Sequence, residues 1–231
     1  MLLLSKTTLL GNIDAVLGVI SSLFVIFGTI LAFIQYFHQK KLARIREASN
    51  IAKYFEEDMV DMISLIMIYV SLDQEIDRII KEKRERIEKA KYFNAEELDE
   101  IFSKDEIKKY REFISDKNKV NGKVTIKDLL SMTMNKMEHC AISFNSNLAE
   151  DKTVYQSLHQ LVFKIMPIAY VYIASLNTNN VDKYYTNACL LYRNWLNIRN
   201  NALKKEKRAE VRYQKQKDAR AKAGTIKTPA M

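Results

Sequence analysis

Glycine and proline are scarce in this chain of 231 residues, which has only five of the first and two of the second. Neither occurs between Gly28 and Gly122. Sheets need turns, and turns lean on these two residues, so a strand-rich fold is out of reach and helices are expected throughout. The same scarcity excludes a phosphate loop, a dinucleotide fingerprint and a G-x-S-x-G elbow. Cys140 and Cys189 are the only cysteines, so no C-x-x-C pair exists. Both lie in apolar helical patterns, where a free thiol behaves as a small hydrophobe, and a reducing cytosol disfavours a disulfide between them. One further absence is local: Ala15 to Phe37 runs for 23 positions without a charged side chain.

That run sets the solvent of the first part of the chain. As a helix it is about 34 Å long, against about 30 Å of hydrocarbon core. Lys40, Lys41, Arg44 and Arg46 follow it, with no acid before Glu47, whereas only Lys6 and Asp14 precede it. Basic flanks stay on the cytoplasmic side, so residues 1–14 are expected outside and the remainder inside, in a single-pass inner-membrane protein. A cleaved leader fits poorly, because its apolar core spans about 7–15 residues and its basic residues come first. Met59 to Leu72 is interrupted by Asp61, and Leu161 to Leu176 by Lys164 and Pro167; both read as core helices rather than further spans. Within the span, Gly11, Gly18 and Ala32 share one row, with Ala15, Ser22 and Thr29 on the next. Small residues let helix backbones approach in lipid, so this is a candidate packing face for a parallel dimer.

Charge divides the rest. The formal net is +9, but residues 199–231 hold 11 Lys/Arg against 3 Asp/Glu, while 47–198 hold 21 against 24. The basic character belongs to the ends. The expected layout is all-α: a transmembrane helix over 15–37, a basic juxtamembrane helix over 38–56, a cytoplasmic helical bundle over 57–198 and a basic helix or tail over 199–231.

Along the juxtamembrane helix, Leu42, Ile45, Ala48, Ala52 and Phe55 keep helical spacing, as do Met59, Met62, Ile63, Ile66, Tyr69 and Val70 at the start of the bundle. Gln74 to Lys91 is densely charged with a thin stripe of Ile76, Ile79, Ile80 and Ile87, braced by the pairs Glu82–Arg86 and Glu85–Lys89. Asn94 with Glu97 and Ser103 with Glu106 predict capping boxes, and Thr125 with Asp128 opens another helix. Asp116 to Lys123 reads as a loop. A helix over about 151–176 should bend near Pro167. The last helix is expected from near Val181.

The wording from Ala141 to Trp195, "AISFNSNLAEDKTVYQSLHQ" and then "YYTNACLLYRNW", resembles short bacterial membrane-anchored proteins grouped as a domain of unknown function. The resemblance implies an anchored all-α protein and carries no catalytic residues with it. The charged stretch from Arg78 to Lys123 departs from that pattern.

Chemistry is thinly supplied. Glu57, Asp58 and Asp61 gather on one helix, but a di-metal bundle site also needs Glu-x-x-His pairs, and Glu138 stands directly before His139. His139 and Cys140 are neighbours, which on a helix point about 100° apart. His159 reads as a hydrogen-bonded side chain of the bundle edge. Tyr170, Tyr172, Tyr184, Tyr185, Tyr192 and Trp195 read as core before they read as a partner face. No enzyme and no cofactor is therefore expected.

Lys204, Lys205, Lys207, Arg208, Arg212, Lys215 and Lys217 form a candidate surface for an anionic partner. Lipid or plain solvation is favoured there. Nucleic acid is less favoured, since the aromatic interleaving of single-strand binders is missing. The expected function is a membrane-anchored interaction or scaffold protein whose partners are the bilayer and either another protein or a second copy. The alternative is a membrane-perturbing or phage-defence effector that oligomerises through its span.

Overall fold

A computed structural model describes residues 2–115, 119–120, 124–178 and 183–224, and within them the side chains other than those of 2–16, 119–120, 151, 153 and 219–224. Among these residues lie eight helices: α1 (Leu2–Asp58), α2 (Val60–Leu72), α3 (Gln74–Lys89), α4 (Ala95–Ile101), α5 (Lys104–Ile114), α6 (Ile126–Asn145), α7 (Asp151–Leu176) and α8 (Thr186–Gly224). The fold is all-α, as the shortage of turn residues requires.

No breaker interrupts α1, and it runs for 57 residues, about 85 Å. Helical backbone therefore begins at Leu2, well ahead of the apolar run. At Met59 the ladder barely pauses: Met59 N donates to Phe55 O at 3.0 Å and Ile63 N to Met59 O at 2.9 Å. The core starts on α1 itself, since Ala48, Ile51 and Phe55 are buried. It continues through Ile63, Ile66 and Val70 of α2 and through the stripe Ile76, Ile79, Ile80 and Ile87 of α3.

At the centre stands α7, buried at every position from 165 to 174. A helix that is apolar all round belongs in an interior. It passes through Pro167 without interruption. Proline offers no N–H to the carbonyl four residues back, that of Phe163. The Arg84 guanidinium of α3 donates to that carbonyl instead, at 3.2 Å.

Several local expectations need correction. Only half of the first capping box forms: Asn94 Oδ1 accepts Glu97 N at 3.0 Å, but the Glu97 carboxylate turns to the amides of Lys91, Tyr92 and Phe93 at 2.6–2.8 Å. It braces a bend in which Phe93 takes a positive φ of 50°. Ser103–Glu106 and Thr125–Asp128 are full boxes. Glu85–Lys89 pairs at 2.6 Å, but Arg86 leaves Glu82 and donates to the carbonyls of Glu100 and Ile101, which need donors where α4 ends. The stretch 116–123 is not wholly loop, because Lys119–Val120 pairs antiparallel with Val124–Thr125, giving its backbone polar groups partners just before α6.

The last helix starts at Thr186, five residues later than expected, and Tyr184 and Tyr185 precede it. Buried Asn177 holds this turn open: its amide donates to Phe93 O at 3.0 Å, and its Oδ1 accepts Tyr184 N at 2.7 Å. Tyr185 then takes a positive φ of 59°. The cap of α8 comes from another helix. Glu138 of α6 accepts Asn187 N at 3.0 Å and Ala188 N at 2.8 Å, placing a carboxylate on a helix N-terminus.

Candidate membrane interface

Among the described residues, two helical stretches are long and apolar enough to cross a membrane, Leu17–Asp58 and Val154–Leu176, and their surroundings differ. The most apolar window of the first has a mean hydropathy of 2.5 with none of it buried, whereas that of the second reaches 1.2 and is 72% buried. Every side chain from Leu17 to Ala43 is exposed, a length of about 40 Å. Phe24 is 74% exposed and Phe27 63%. Contiguous apolar surface on this scale marks a contact with another protein or with a membrane.

The small residues of the packing face are placed as follows. Gly18, Ser22, Thr29 and Ala32 are exposed on α1. A Cβ at Gly18 would meet nothing within 4 Å. The hydroxyls of Ser22 and Thr29 donate to Gly18 O and Val25 O, each at 2.8 Å, so both are satisfied inside their own helix. Gly11 and Ala15 lie outside the residues whose side chains are described.

Below the apolar stretch, Lys40, Lys41 and Arg46 are exposed and Arg44 is half-buried. The Arg44 carbonyl accepts the amide of Glu150 at 3.2 Å, fixing the α6–α7 connection to α1. Leu148, 59% exposed, sits in that connection. Trp195 of α8 packs against the same region: its ring lies 6.0 Å from Phe144, in the last turn of α6, and 5.5 Å from Tyr155, in the second turn of α7. The connection between α6 and α7 is thus tied to α1, and the two helices it joins both carry Trp195 of α8.

Arg199 clamps α8 as it leaves. It meets Glu88 with two hydrogen bonds, 3.3 and 2.6 Å, while its guanidinium covers the Phe163 ring at 4.8 Å. Glu88 also accepts from Arg84 Nε at 3.3 Å. Asn200 to Asp218 are exposed without exception. The basic segment is thus helix as far as Gly224, about 36 Å beyond Asn200. At about 100° per residue, Lys204, Lys205, Arg208, Arg212 and Lys215 fall within about 100° of arc, and Glu206 and Glu210 fall opposite. Lys207 and Lys217 lie outside that arc.

The residues weighed for chemistry are dispersed. Asp58 bonds Lys136 at 2.8 Å, Glu57 lies 3.7 Å from Lys53, and Asp61 is exposed. No group of three or more His, Cys, Asp or Glu converges among the described residues. His139 is exposed, and His159 bonds the Tyr155 carbonyl at 2.6 Å while stacking on the Tyr155 ring. Burial pushes the Cys140 thiol up to about 11 and the Cys189 thiol up to about 12. Such thiols are protonated and inert at neutral pH. Tyr170, Tyr172, Tyr185, Tyr192 and Trp195 are core, and Tyr184 is 53% exposed.

The positions that fix α8, namely Glu138, Glu88 and Arg199, and Arg84, which serves α7, escape a sequence reading because each acts on a distant segment. Pro167 does announce an orphan carbonyl at Phe163, but the fold supplies the donor. The chain matches no family model, no curated protein and no solved structure.

Proposed function

We propose that this chain is a single-pass membrane protein that holds a helical bundle at the cytoplasmic face of the inner membrane, where the bundle binds another protein or a second copy of the chain. One observation carries this reading: α1 is an uninterrupted helix whose first described part is apolar and fully exposed, and whose last part, Ala48 to Phe55, is core. Lipid is the solvent that such a surface fits, and the continuous backbone ties the bundle to it. The buried state of α7 supports one span rather than two. The four cations after the span support a cytoplasmic bundle.

Alkaline carbonate washing of membranes from cells making the full chain tests the anchor. The chain should stay with the pellet; its release would remove the reading. Protease added to unbroken cells should leave the bundle intact.

The exposed row Gly18, Ser22, Thr29 and Ala32 favours a second reading, in which the spans associate and perturb the bilayer. A membrane-potential dye separates the two. Collapse on expression supports the second, and an unchanged potential supports the scaffold.

A further inference from the structure

We infer that the α8 extension is a lipid-reading arm: its cationic face, Lys204, Lys205, Arg208, Arg212 and Lys215, lies on the anionic headgroups of the leaflet from which α1 emerges. This rests on the anchored reading above and adds the partner of the arm. Three observations meet here. The extension is helical and wholly exposed from Asn200 to Asp218, so the bundle offers it no surface of its own. Five of its cations share one face, and Glu206 and Glu210 stand opposite together with Lys217, so the cationic face itself carries no acid and suits a flat anionic surface. Its root is fixed on the two helices that flank the connection tied to α1: Trp195 packs on Phe144 of α6 and Tyr155 of α7, the Glu150 amide between them donates to Arg44 O, and Arg199 is clamped by Glu88. The arm runs about 36 Å from that root.

The chemistry is electrostatic. Basic residues near an anionic leaflet gain about fivefold in affinity each, and the effect fades within a Debye length of about 8–10 Å. The face is poor in large apolar side chains, so the arm lies on the headgroups rather than inserting.

The test uses the full chain in nanodiscs of neutral phosphatidylcholine and in discs containing 30% phosphatidylglycerol. Chymotrypsin cleavage after Tyr213, 70% exposed, is followed by mass spectrometry. Proteolysis of a helix requires local opening, which a bound surface suppresses. Cleavage should slow at least tenfold in anionic discs at low salt and recover in 0.5 M salt. A chain carrying Lys204→Glu, Arg208→Glu, Arg212→Glu and Lys215→Glu should be cut at one rate in both discs. These positions are exposed, so the variant keeps the bundle, and its rate in neutral discs serves as the control.

Equal cleavage of the unaltered chain in both discs overturns the inference. So does protection by an added oligonucleotide without protection by anionic lipid, which would assign the face to nucleic acid. Failure of the chain to remain in any disc would instead overturn the anchored reading.

Discussion

Single side chains fasten this fold at points where a helix needs a partner from elsewhere. Glu138 caps α8 from across the bundle, holding two free amides and the Asn187 side chain. Glu138→Ala should lower stability by about 1–2 kcal/mol, which in a chain of this size shifts the thermal midpoint by about 2–8 °C in detergent. Arg84 and Pro167 form a second pair, joined through the Phe163 carbonyl. Arg84→Met in the parent orphans that carbonyl. In a Pro167→Ala background, the new N–H can satisfy it. The two changes should therefore couple by about 0.5–1.5 kcal/mol in a double-mutant cycle, with Arg84→Met less costly once Pro167 has been replaced. Strict additivity would show that the guanidinium is not replacing the missing amide.

The buried thiols give a pH dependence. Cys140 and Cys189 hold their protons in the folded chain well above the ordinary value of 9.0, up to about 11 and about 12. The folded state thus binds more protons than the unfolded state above pH 9, and stability falls as pH rises from about 9 toward 12. A thiol reagent at pH 8 should find neither cysteine in the folded chain and both after denaturation.

At the scale of elements, legibility followed the range of the interaction. Helices driven by their own periodicity were readable, as in the Ile76–Ile87 stripe or the Thr125 and Ser103 caps, because the partners lie within a turn or two. The start of α8 was not readable, since it depends on Asn177 and on Glu138, 49 residues from Asn187. Glu97 misled for a related reason: the motif matches a capping box, but three amides of the preceding bend compete for the carboxylate. The candidate interface was legible as composition, in the apolar run and the basic end. What the fold adds is the arrangement, a continuous α1 and an α8 whose cations share a face. The run itself makes a prediction. Ile26→Arg with Gly28→Arg places two charges near the centre of the span at about 3 kcal/mol each. Most of the chain should then leave the membrane pellet on carbonate washing, although both positions lie far from the core.

In the proposed reading the whole molecule divides by solvent rather than by a linker. No side chain from Leu17 to Ala43 is buried, and the core draws on α1 only from Ala48 onward. The bundle therefore does not draw on that apolar stretch for its packing; in the proposed reading the stretch serves to place it. A chain starting at Gln39 should be soluble and monodisperse, and should melt within about 2 °C of the full chain in detergent, because none of the described side chains it removes, those of residues 17–38, is buried. Deletion to Asn50 should behave differently. It removes Ala48 and the Arg44 carbonyl that holds the α6–α7 connection, exposing apolar surface on α7 and loosening the seat of Trp195. A loss of several degrees, with aggregation, is expected on calorimetry. If both deletions melted alike, the juxtamembrane turns would be mere spacer. The entry of α1 and the exit of α8 would then no longer be tied to a common support, and the placement of the arm beside the membrane would lose its mechanical basis.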